Sequence, residues 1–503
     1  MATNFRKNRA PSPIFATQSG KILTENLKKA ARDGAFWTAA SQIGAGLCQW
    51  AQLFWLARLL PASDFGVMAI AQASVGILAP MTDLGLSQAI IQQKHIEDRQ
   101  LNTLFWLNMA IGVSFFLTFL AVGWGAARFY GQPVLWPLMA AVAVIFLLYP
   151  LAAQPSAMLT RALDFRSLAV ADVVSWAFSL FFAVFLAKNG WGVFALGTAH
   201  IIRYFVATVL SWCLAREICP VPGRDFDWPT SRFLVRFGLY DSAARWLNIL
   251  QLNADKFIVG KWLGMAELGY YSLAWSVVQA PITRVLPIIS KVTAPIFSKI
   301  QHQNSAKLSS GYTKTMALVF AISLPIFLGI SLISNELIII FFGHKWVSAA
   351  PVLAILAFVG LVRSLGSPGA NLLLARGRPE PNLWWNILFT TCTVIWTIGW
   401  MYFLPTAIGA AWAQLTCILS IGWVWHWAIW RFGQVSYRGI LRPIFRMLFW
   451  AAPAAVLCLF VEKMGWPLLP NFVIKSTFFA VFALFLLKKH APTGFFKLKK
   501  QTN

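Results

Sequence analysis

The chain has 503 residues, with 42 Lys and Arg against 17 Asp and Glu, so its formal net charge is +25 although only 12% of its residues are charged. Hydrophobic residues make up 58% and the mean hydropathy is +0.65. A soluble globule has no place for that apolar excess, and disordered, collagenous, coiled-coil and disulfide-stapled chains have other compositions. We therefore predict an all-α, polytopic membrane protein whose basic excess lies in its loops.

The first 33 residues form a polar, basic segment without the apolar core of a signal peptide. Within it, residues 21–33 have the pattern of a short amphipathic helix that lies on an anionic membrane surface. We expect a cytoplasmic N-terminal tail over residues 1–33.

About fourteen apolar stretches follow, and each is long enough to cross a hydrocarbon core about 30 Å thick. They are predicted at 34–57, 65–91, 101–127, 133–158, 168–187, 191–215, 234–259, 268–297, 314–334, 348–374, 382–403, 406–430, 441–461 and 466–487. The connections are short, so no soluble domain is expected between two spans.

These spans are predicted to form two six-helix lobes in a parallel repeat plus two C-terminal helices. The expected order is an N-lobe over 34–215, a cytoplasmic linker over 216–233, a C-lobe over 234–430, spans 13 and 14 within 431–487, and a basic cytoplasmic tail over 488–503. With a cytoplasmic N-terminus, 29 of the 42 Lys and Arg fall in cytoplasmic segments and six in the opposite loops. This positive-inside asymmetry predicts that both termini are cytoplasmic, and it explains most of the net charge without a nucleic-acid partner.

The two lobes share a sequence repeat. Residues 54–74 align without a gap with the residues 203 positions later, which pairs Arg58 with Lys261 and Gly66 with Gly269. The gapless match at the same topological position favours a true repeat over chance similarity between apolar segments.

A second, shorter similarity relates residues 128–131 to residues 340–343, at an offset of 212. It lies between spans 3 and 4 in one lobe and between spans 9 and 10 in the other. Because six spans leave both copies in the same orientation, we expect an axis along the membrane normal and a cleft between the lobes.

Charged residues within apolar spans cost about 2.5–3.5 kcal/mol each at mid-bilayer, so they indicate pairing, a wet cavity or function. The central cations are Arg203, Arg245, Arg284, Arg363 and Lys475, and the central acids are Asp83 and Asp241. Asp172 and Asp255 lie close enough to a span end to reach water or the membrane interface. A cavity with this positive excess would attract an anion, and the planar fork of arginine suits phosphate or carboxylate.

Span 7 carries a polar stripe on one helical face, because its polar residues are spaced by 4, 3 and 7. The stripe comprises Asp241, Arg245, Asn248 and Asp255, and its counterparts in span 1 are Thr38, Gln42, Ala45 and Gln52, with Gln49 on the same face. Both stripes could line a shared aqueous cavity; alternatively, Asp241 and Arg245 form an i,i+4 pair that only stabilises the helix. Trp246 and Trp275 are candidates for stacking on sugar rings.

Catalytic patterns are missing from the sequence. It contains no Walker A, GxSxG, HExxH or EF-hand pattern, and its six Cys and six His have no metal-ligand spacing. We expect no catalytic residue, no cofactor and no metal.

Several stretches resemble the bacterial polysaccharide exporters of the colanic-acid exporter type, within the multidrug/oligosaccharidyl-lipid/polysaccharide flippase superfamily. In order and spacing, the resemblance lies in residues 57–66, 83–92, 161–166, 255–264 and 268–272. It implies a two-lobed bundle with a central cavity and alternating access. It also implies cargo of undecaprenyl-diphosphate-linked oligosaccharide repeat units, which cross the bacterial inner (plasma) membrane during exopolysaccharide or lipopolysaccharide biosynthesis.

Within that resemblance, Arg245 and Arg284 match the family's cationic cavity groups by position. The expected substrate-binding residues are Arg203, Arg245, Arg284, Arg363, Gln42 and Asn248, and the expected charge-pairing or ion-coupling residues are Asp83 and Asp241. Membrane lipids and polysaccharide polymerase and co-polymerase proteins are the expected partners.

Other functions remain open. A basic cavity disfavours an ion-coupled exporter of cationic drugs, and the neutral first span disfavours lipid II, because lipid II flippases carry charged groups there. Loops of about ten residues on the outer side are short for an integral-membrane polymerase or glycosyltransferase. A non-catalytic scaffold would tolerate neutralisation of every mid-span arginine.

Overall fold

The computed structural model describes residues 13–83, 85–93, 96–228, 249–284, 305–378, 380–435, 437–464 and 466–490. Within these ranges the secondary structure is helical and contains no strand, so the all-α prediction is confirmed. Asp241, Arg245, Trp246 and Asn248 lie outside the described residues, and their predicted roles stay predictions.

The first half of the chain folds into α1 (Pro13–Leu59), α2 (Ala62–Asp83), α3 (Leu86–Gln92), α4 (Asp98–Tyr130), α5 (Leu135–Val142), α6 (Ile145–Arg161), α7 (Phe165–Lys188) and α8 (Val193–Leu214). The short amphipathic helix predicted at 21–33 is continuous with the first span in α1. The second predicted span ends earlier than expected because Gly85 takes a left-handed conformation (φ 68°) before α3. The fourth is divided between α5 and α6.

The second half contains a helix over 249–263 (α9), α10 (Met265–Arg284), α11 (Ser305–Leu332), α12 (Ala349–Ala375), α13 (Glu380–Phe403), α14 (Ala407–Gly433), α15 (Arg438–Lys463) and α16 (Leu468–His490). Between α11 and α12, a helical turn (Ser334–Leu337) leads into a π-helical turn (Ile338–Phe342). Ten membrane-crossing segments, by length and composition, are found within the described residues. The count of fourteen therefore stays a prediction.

The helices end where the local sequence offers a stop signal. Pro61 follows α1 and disfavours helical backbone in the residue before it. Gly131 caps α4 in a left-handed conformation (φ 64°). At the start of α7, the Asp164 carboxylate accepts a hydrogen bond from the Ser167 backbone N–H at 3.1 Å. These caps place the ends of the helices at the loops that join successive spans.

Helix contacts group the chain into two halves. In the first half α1 packs along α7, α7 along α8, and α4 along α6; in the second, α12 packs on α11 and α14, and α13 packs on α14. Among the helix pairs whose contacts are described, the two halves meet most extensively along α2 and α10.

Two glycines bring α2 and α10 into backbone contact. A Cβ atom on Gly66 would lie 1.8 Å from the carbonyl oxygen of Met265, and a Cβ atom on Gly269 would lie 1.9 Å from that of Ala62. The repeat offset of 203 pairs Gly66 with Gly269 and Ala62 with Met265. Each lobe therefore makes the same contact to the other, as an axis relating two parallel copies requires.

The residues of the second, shorter repeat (128–131 and 340–343) take part in a matching pair of contacts at one end of the bundle. The Arg58 guanidinium donates to the carbonyl oxygens of Ile340 (2.6 Å) and Phe341 (3.1 Å). The Lys261 ammonium donates to the carbonyl oxygen of Phe129. Phe129 and Phe341 are equivalent in the repeat, as are Arg58 and Lys261, so the two donors bind equivalent backbone positions of the opposite lobe.

Two further donors join the lobes at the same end. The Lys345 ammonium donates to the carbonyl oxygens of Arg58 (2.9 Å) and Leu60 (2.7 Å), and partial burial lowers its pKa. The indole N–H of Trp346, a fully buried side chain, donates to the carbonyl oxygen of Ala57 at 2.7 Å. We call Arg58, Lys261, Lys345 and Trp346, with the carbonyls they bind, the clasp.

The two C-terminal helices, α15 and α16, both pack against α11. Lys475 of α16 forms a 2.6 Å ion pair with Glu336, and both side chains are buried. The Phe472 ring also contacts Phe341 edge to face, with centroids 5.9 Å apart. Lys475, a central cation in the sequence, is thus neutralised by an acid that lies beyond the predicted end of span 9.

We expect Lys475→Met to lower the free energy of unfolding by about 3–5 kcal/mol, because it leaves the Glu336 carboxylate buried and unpaired. Combining it with Glu336→Leu should restore most of the stability, since two apolar side chains then replace the pair. Thermal unfolding of the purified protein in detergent measures both. A double variant as unstable as the single one would contradict this explanation.

Candidate functional site

A polar cavity lies between the two lobes. One part, of about 290 Å³, is lined by Gln49, Trp50, Leu53, Ser276, Gln279, Ala280, Thr283 and Arg284. An adjoining part, of about 190 Å³, shares Gln49, Leu53 and Ser276 with the first and extends to Gln52, Gln72, Trp176 and His200. We call these two parts the inter-lobe cavity.

Arg284 of α10 crosses from one lobe to the other. Its guanidinium donates to the backbone carbonyl of Gln42 and, at 2.6 Å, to the side-chain oxygen of Gln49, both on α1. A Cβ atom on Gly46 would lie 2.7 Å from the Arg284 Nη1 atom, so a glycine there leaves room for the guanidinium. The structure thus brings Arg284 and Gln42 together beside the inter-lobe cavity.

Arg203 of α8 lies against aromatic rings near the same cavity. Its guanidinium carbon is 4.3 Å from the ring centroid of Trp176 and 5.1 Å from that of Tyr204. Such cation–π contacts hold a cation in place without neutralising it.

Asp172 of α7 is near enough to Arg203 and Arg284 to interact electrostatically with both. It also accepts a weak hydrogen bond from the Ser41 hydroxyl at 3.4 Å. The sequence placed Asp172 near a span end, where a carboxylate can reach water. Its spacing with Ser175 and Ser179, at i+3 and i+7, was the available signal for a polar face on α7.

Gln52 and His200 extend the polar lining deeper between the helices. The side-chain oxygen of Gln52 accepts a hydrogen bond from the Ser179 hydroxyl at 3.2 Å. The His200 ring and the Gln72 amide are also hydrogen-bonded to each other. Gln52, Gln72 and His200 therefore contribute polar groups to the N-lobe side of the inter-lobe cavity.

Asp83 occupies a different position, at the end of α2. Its carboxylate accepts hydrogen bonds from the Ser87 backbone N–H (3.2 Å) and hydroxyl (2.8 Å), and from the Asn108 amide (3.5 Å). These contacts tie α2 to α3 and α4. Its proposed pairing or coupling role stays a prediction.

Arg363 of α12 lies within the C-lobe. Its Nη2 donates to the Gln414 side-chain oxygen at 3.3 Å, and the Gln414 amide donates to the Asp255 carboxylate at 3.1 Å. The Tyr271 hydroxyl also donates to Asp255. Asp255 is only 4% exposed. The sequence placed this acid near a membrane interface, whereas the structure buries it in a network that links four helices.

The Arg363 guanidinium also contacts two aromatic rings, with centroids 4.9 Å (Trp275) and 5.0 Å (Phe389) away. Trp275 is only 3% exposed. Its ring thus supports the cation and is not available to stack on a sugar, as the sequence had suggested for it.

A pocket of about 220 Å³ adjoins Arg363, between α9, α12, α13 and α14. We call it the C-lobe pocket; it is lined by Gln251, Leu252, Val362, Arg363, Gly366, Ala370, Asn382, Trp385, Asn386, Phe389, Ile418, Gly422, Trp425 and His426. It shares no lining residue with the inter-lobe cavity. Within the described ranges, no group of three His, Cys, Asp or Glu could hold a metal ion.

Comparison with known proteins places this geometry in context. The chain matches the family described as "Polysaccharide biosynthesis protein" over residues 55–351. The lipopolysaccharide biosynthesis protein WzxC of Escherichia coli (strain K12) is 29% identical over 369 residues, which are 73% of this chain and 74% of WzxC. The succinoglycan biosynthesis transport protein ExoT of Rhizobium meliloti (strain 1021) is 24% identical and covers 74% of each chain.

Among solved structures, the lipid II flippase MurJ in an inward closed conformation has the same fold. The TM-score is 0.70 at 12% sequence identity, over 90% of this chain and 99% of that one.

Proposed function

This chain belongs to the family of polysaccharide biosynthesis proteins, and from that premise we propose that it moves undecaprenyl-diphosphate-linked oligosaccharide repeat units across the bacterial inner membrane. It is a multi-pass membrane transporter and not an enzyme. The cargo would pass from the cytoplasmic to the periplasmic leaflet and serve exopolysaccharide or lipopolysaccharide biosynthesis. Polysaccharide polymerase and co-polymerase proteins would receive it.

The observation that carries this proposal is the make-up of the inter-lobe cavity. Neutral amides and hydroxyls line it together with apolar side chains. Arg284 belongs to the lining, Arg203 contacts the lining residue Trp176, and Asp172 interacts electrostatically with both arginines. Among the described residues, two arginines against one carboxylate leave a positive excess that suits a diphosphate, and guanidinium groups can bind its oxygens in pairs. A cationic drug would be repelled, which disfavours the drug-exporter alternative.

The same geometry supports alternating access. The clasp joins the lobes at the end that carries Arg58 and Lys261, which faces the periplasm if the N-terminus is cytoplasmic. Cargo would then enter from the cytoplasmic side while the polyprenyl tail stays in lipid. Release would require the clasp to open, with α2 and α10 as the contact about which the lobes rock.

We expect Arg284→Ala to reduce translocation of the lipid-linked repeat unit by about 10- to 100-fold, because one charge-assisted contact to the diphosphate contributes about 1.5–3 kcal/mol. Arg284→Lys should be intermediate, since it keeps the charge but loses the planar fork. The assay is movement of lipid-linked repeat units in proteoliposomes, normalised to reconstituted protein.

Arg128→Ala is the matched control. Its guanidinium stacks on the Trp124 ring of its own helix, 3.8 Å from the centroid, away from the cavity lining. Wild-type translocation by the Arg284→Ala protein at wild-type abundance would refute the cationic-cavity mechanism.

A further inference from the structure

The C-lobe pocket contains three amide side chains that have no hydrogen-bond partner among the described residues. The side chains of Gln251, Asn382 and Asn386 line the pocket, and none has a hydrogen bond within the described part of the chain. Each amide offers one acceptor and two donors. Three unused amides in one concave site provide hydrogen-bonding capacity for a ligand that carries several hydroxyl groups.

Two further polar side chains, Arg363 and His426, also line the C-lobe pocket. The His426 Nδ1 atom is 3.0 Å from the Tyr437 hydroxyl, and burial raises the pKa of Tyr437 to about 12, so that hydroxyl stays protonated. Because the contact with Tyr437 uses Nδ1, Nε2 is the ring nitrogen that is left to bind a ligand. Arg363 has one 3.3 Å contact to Gln414, which leaves further guanidinium N–H groups for a ligand.

Aromatic rings form the other wall of the pocket. The rings of Trp385 and Trp425 are 5.4 Å apart at 39°, and Trp385 lies 5.5 Å from Phe389. The Trp425 indole donates to the Gly366 carbonyl at 3.3 Å, and its side chain is 5% exposed, so this ring is held in place. Trp385 is half-buried, which leaves part of its surface open for contact.

Amides beside flat aromatic surfaces recognise a particular kind of ligand. A sugar ring has an apolar C–H face that packs on an aromatic ring and a rim of hydroxyls that pair with amides. The inter-lobe cavity differs, because arginines dominate its charge and the Trp176 ring is occupied by Arg203. At about 220 Å³, the C-lobe pocket is smaller than the roughly 300–1,000 Å³ of sites for drug-sized ligands, so its own volume suits one sugar residue. It shares Trp385 and Trp425 with an adjoining pocket of about 630 Å³.

We propose that the C-lobe pocket binds one sugar residue of the repeat unit, separately from the diphosphate. This inference rests on the proposed function, because it assigns the carbohydrate part of the same cargo. Asn382, Asn386 and Gln251 bind the hydroxyls, and Trp385 packs against the C–H face. Sugar selectivity therefore resides in α13 and α9, while Arg284 and Arg203 bind the part common to every lipid-linked repeat unit.

The test measures sugar binding directly. The probe is the free oligosaccharide released by mild acid from the lipid-linked repeat units of the host strain, added to the full-length protein in nanodiscs. Saturation-transfer NMR titration is expected to show at least tenfold weaker binding for Asn382→Ala/Asn386→Ala and for Trp385→Leu than for wild type.

Matched controls address folding. Trp396→Leu removes a partly exposed tryptophan of the same helix, outside the pocket lining, and should bind like wild type. The double asparagine variant, which removes no aromatic packing, covers the case in which Trp385→Leu misfolds. Unchanged binding by the double variant would overturn the sugar site.

Failure of the proposed function has a different signature. Wild-type protein that binds the oligosaccharide but does not move the lipid-linked unit in proteoliposomes would refute flipping and leave the sugar site standing. Translocation by wild type together with wild-type binding and translocation by the double asparagine variant would refute only the sugar site.

Discussion

Alanine at Gly66 or at Gly269 will destabilise the protein by more than about 4 kcal/mol, at the upper extreme for a single substitution. The added Cβ atom would lie 1.8 Å from the Met265 carbonyl oxygen at position 66, and 1.9 Å from the Ala62 oxygen at position 269. Both obstacles are backbone atoms within helices, so no side chain can rotate away. The clash is relieved only when α2 and α10 move apart, and that movement opens the contact between the lobes.

The symmetry of the contact predicts how the two substitutions combine. Once the helices have separated to accommodate one Cβ atom, the second clash is largely relieved, so the double variant should lose less than the sum of the single losses. Thermal unfolding in detergent, together with the yield of monodisperse protein, measures all three. Equal and additive losses would indicate two independent sites.

Gly125→Ala and Gly399→Ala are the matched controls, because a Cβ atom at either helical position meets no atom within 4 Å. Alanine favours a helix over glycine by about 1 kcal/mol, so these variants should be neutral or slightly stabilised. A loss of stability in the controls as large as that at Gly66 would contradict the packing explanation.

Removing the two repeat-related donors of the clasp, with Arg58→Ala and Lys261→Ala together, should expose the closed end of the bundle about 30-fold more often. Partly exposed charged contacts to carbonyls contribute about 1 kcal/mol each, and about 2 kcal/mol shifts an equilibrium by that factor. The reporter is Leu60→Cys, at a position only 3% exposed, in a background with the six native cysteines replaced by serine. The rate of labelling by a membrane-impermeant maleimide measures exposure.

Arg128→Ala combined with Lys188→Ala removes two positive charges from the same end without breaking a cross-lobe contact, and should leave the labelling rate unchanged. With the proposed orientation, labelling should occur from the periplasmic side. A labelling rate in the Arg58→Ala/Lys261→Ala protein equal to wild type would show that these donors do not hold the lobes together.

Much of the fold was predictable because apolar length and repeats are properties of the linear chain. Apolar stretches of about 20 residues located the helices, and the offset of 203 paired Gly66 with Gly269 before any contact was known. What the repeat could not reveal is that each glycine contacts the opposite lobe. The division of the fourth span into α5 and α6 also carried no periodicity signal, because both pieces are uniformly apolar.

The site was less predictable, because depth along a span does not determine which neighbour a side chain meets. Arg284 and Gln42 were expected near one cavity, and the Arg284 guanidinium binds the backbone carbonyl of Gln42; the substrate-binding roles of their side chains stay predictions. Asp172 and Asp255 were placed near span ends, yet packing from other helices surrounds them with arginine, serine and glutamine side chains. Lys475 was assigned to an excess of cavity cations, whereas Glu336 neutralises it. Pairing across helices depends on tertiary packing.

The clasp has an evolutionary consequence, because its acceptors are all backbone carbonyls. A carbonyl is present whatever the residue, so the side chains of Phe129, Ile340 and Phe341 can drift without deleting an acceptor. Only the donors can be lost by mutation, and they lie in both halves of the chain. After duplication of the ancestral half, the two halves could therefore diverge in the residues that line the cavity and determine substrate selectivity, while both kept their donors to the clasp. Among related exporters we expect a basic residue to persist at positions 58 and 261, even where the residues it binds differ.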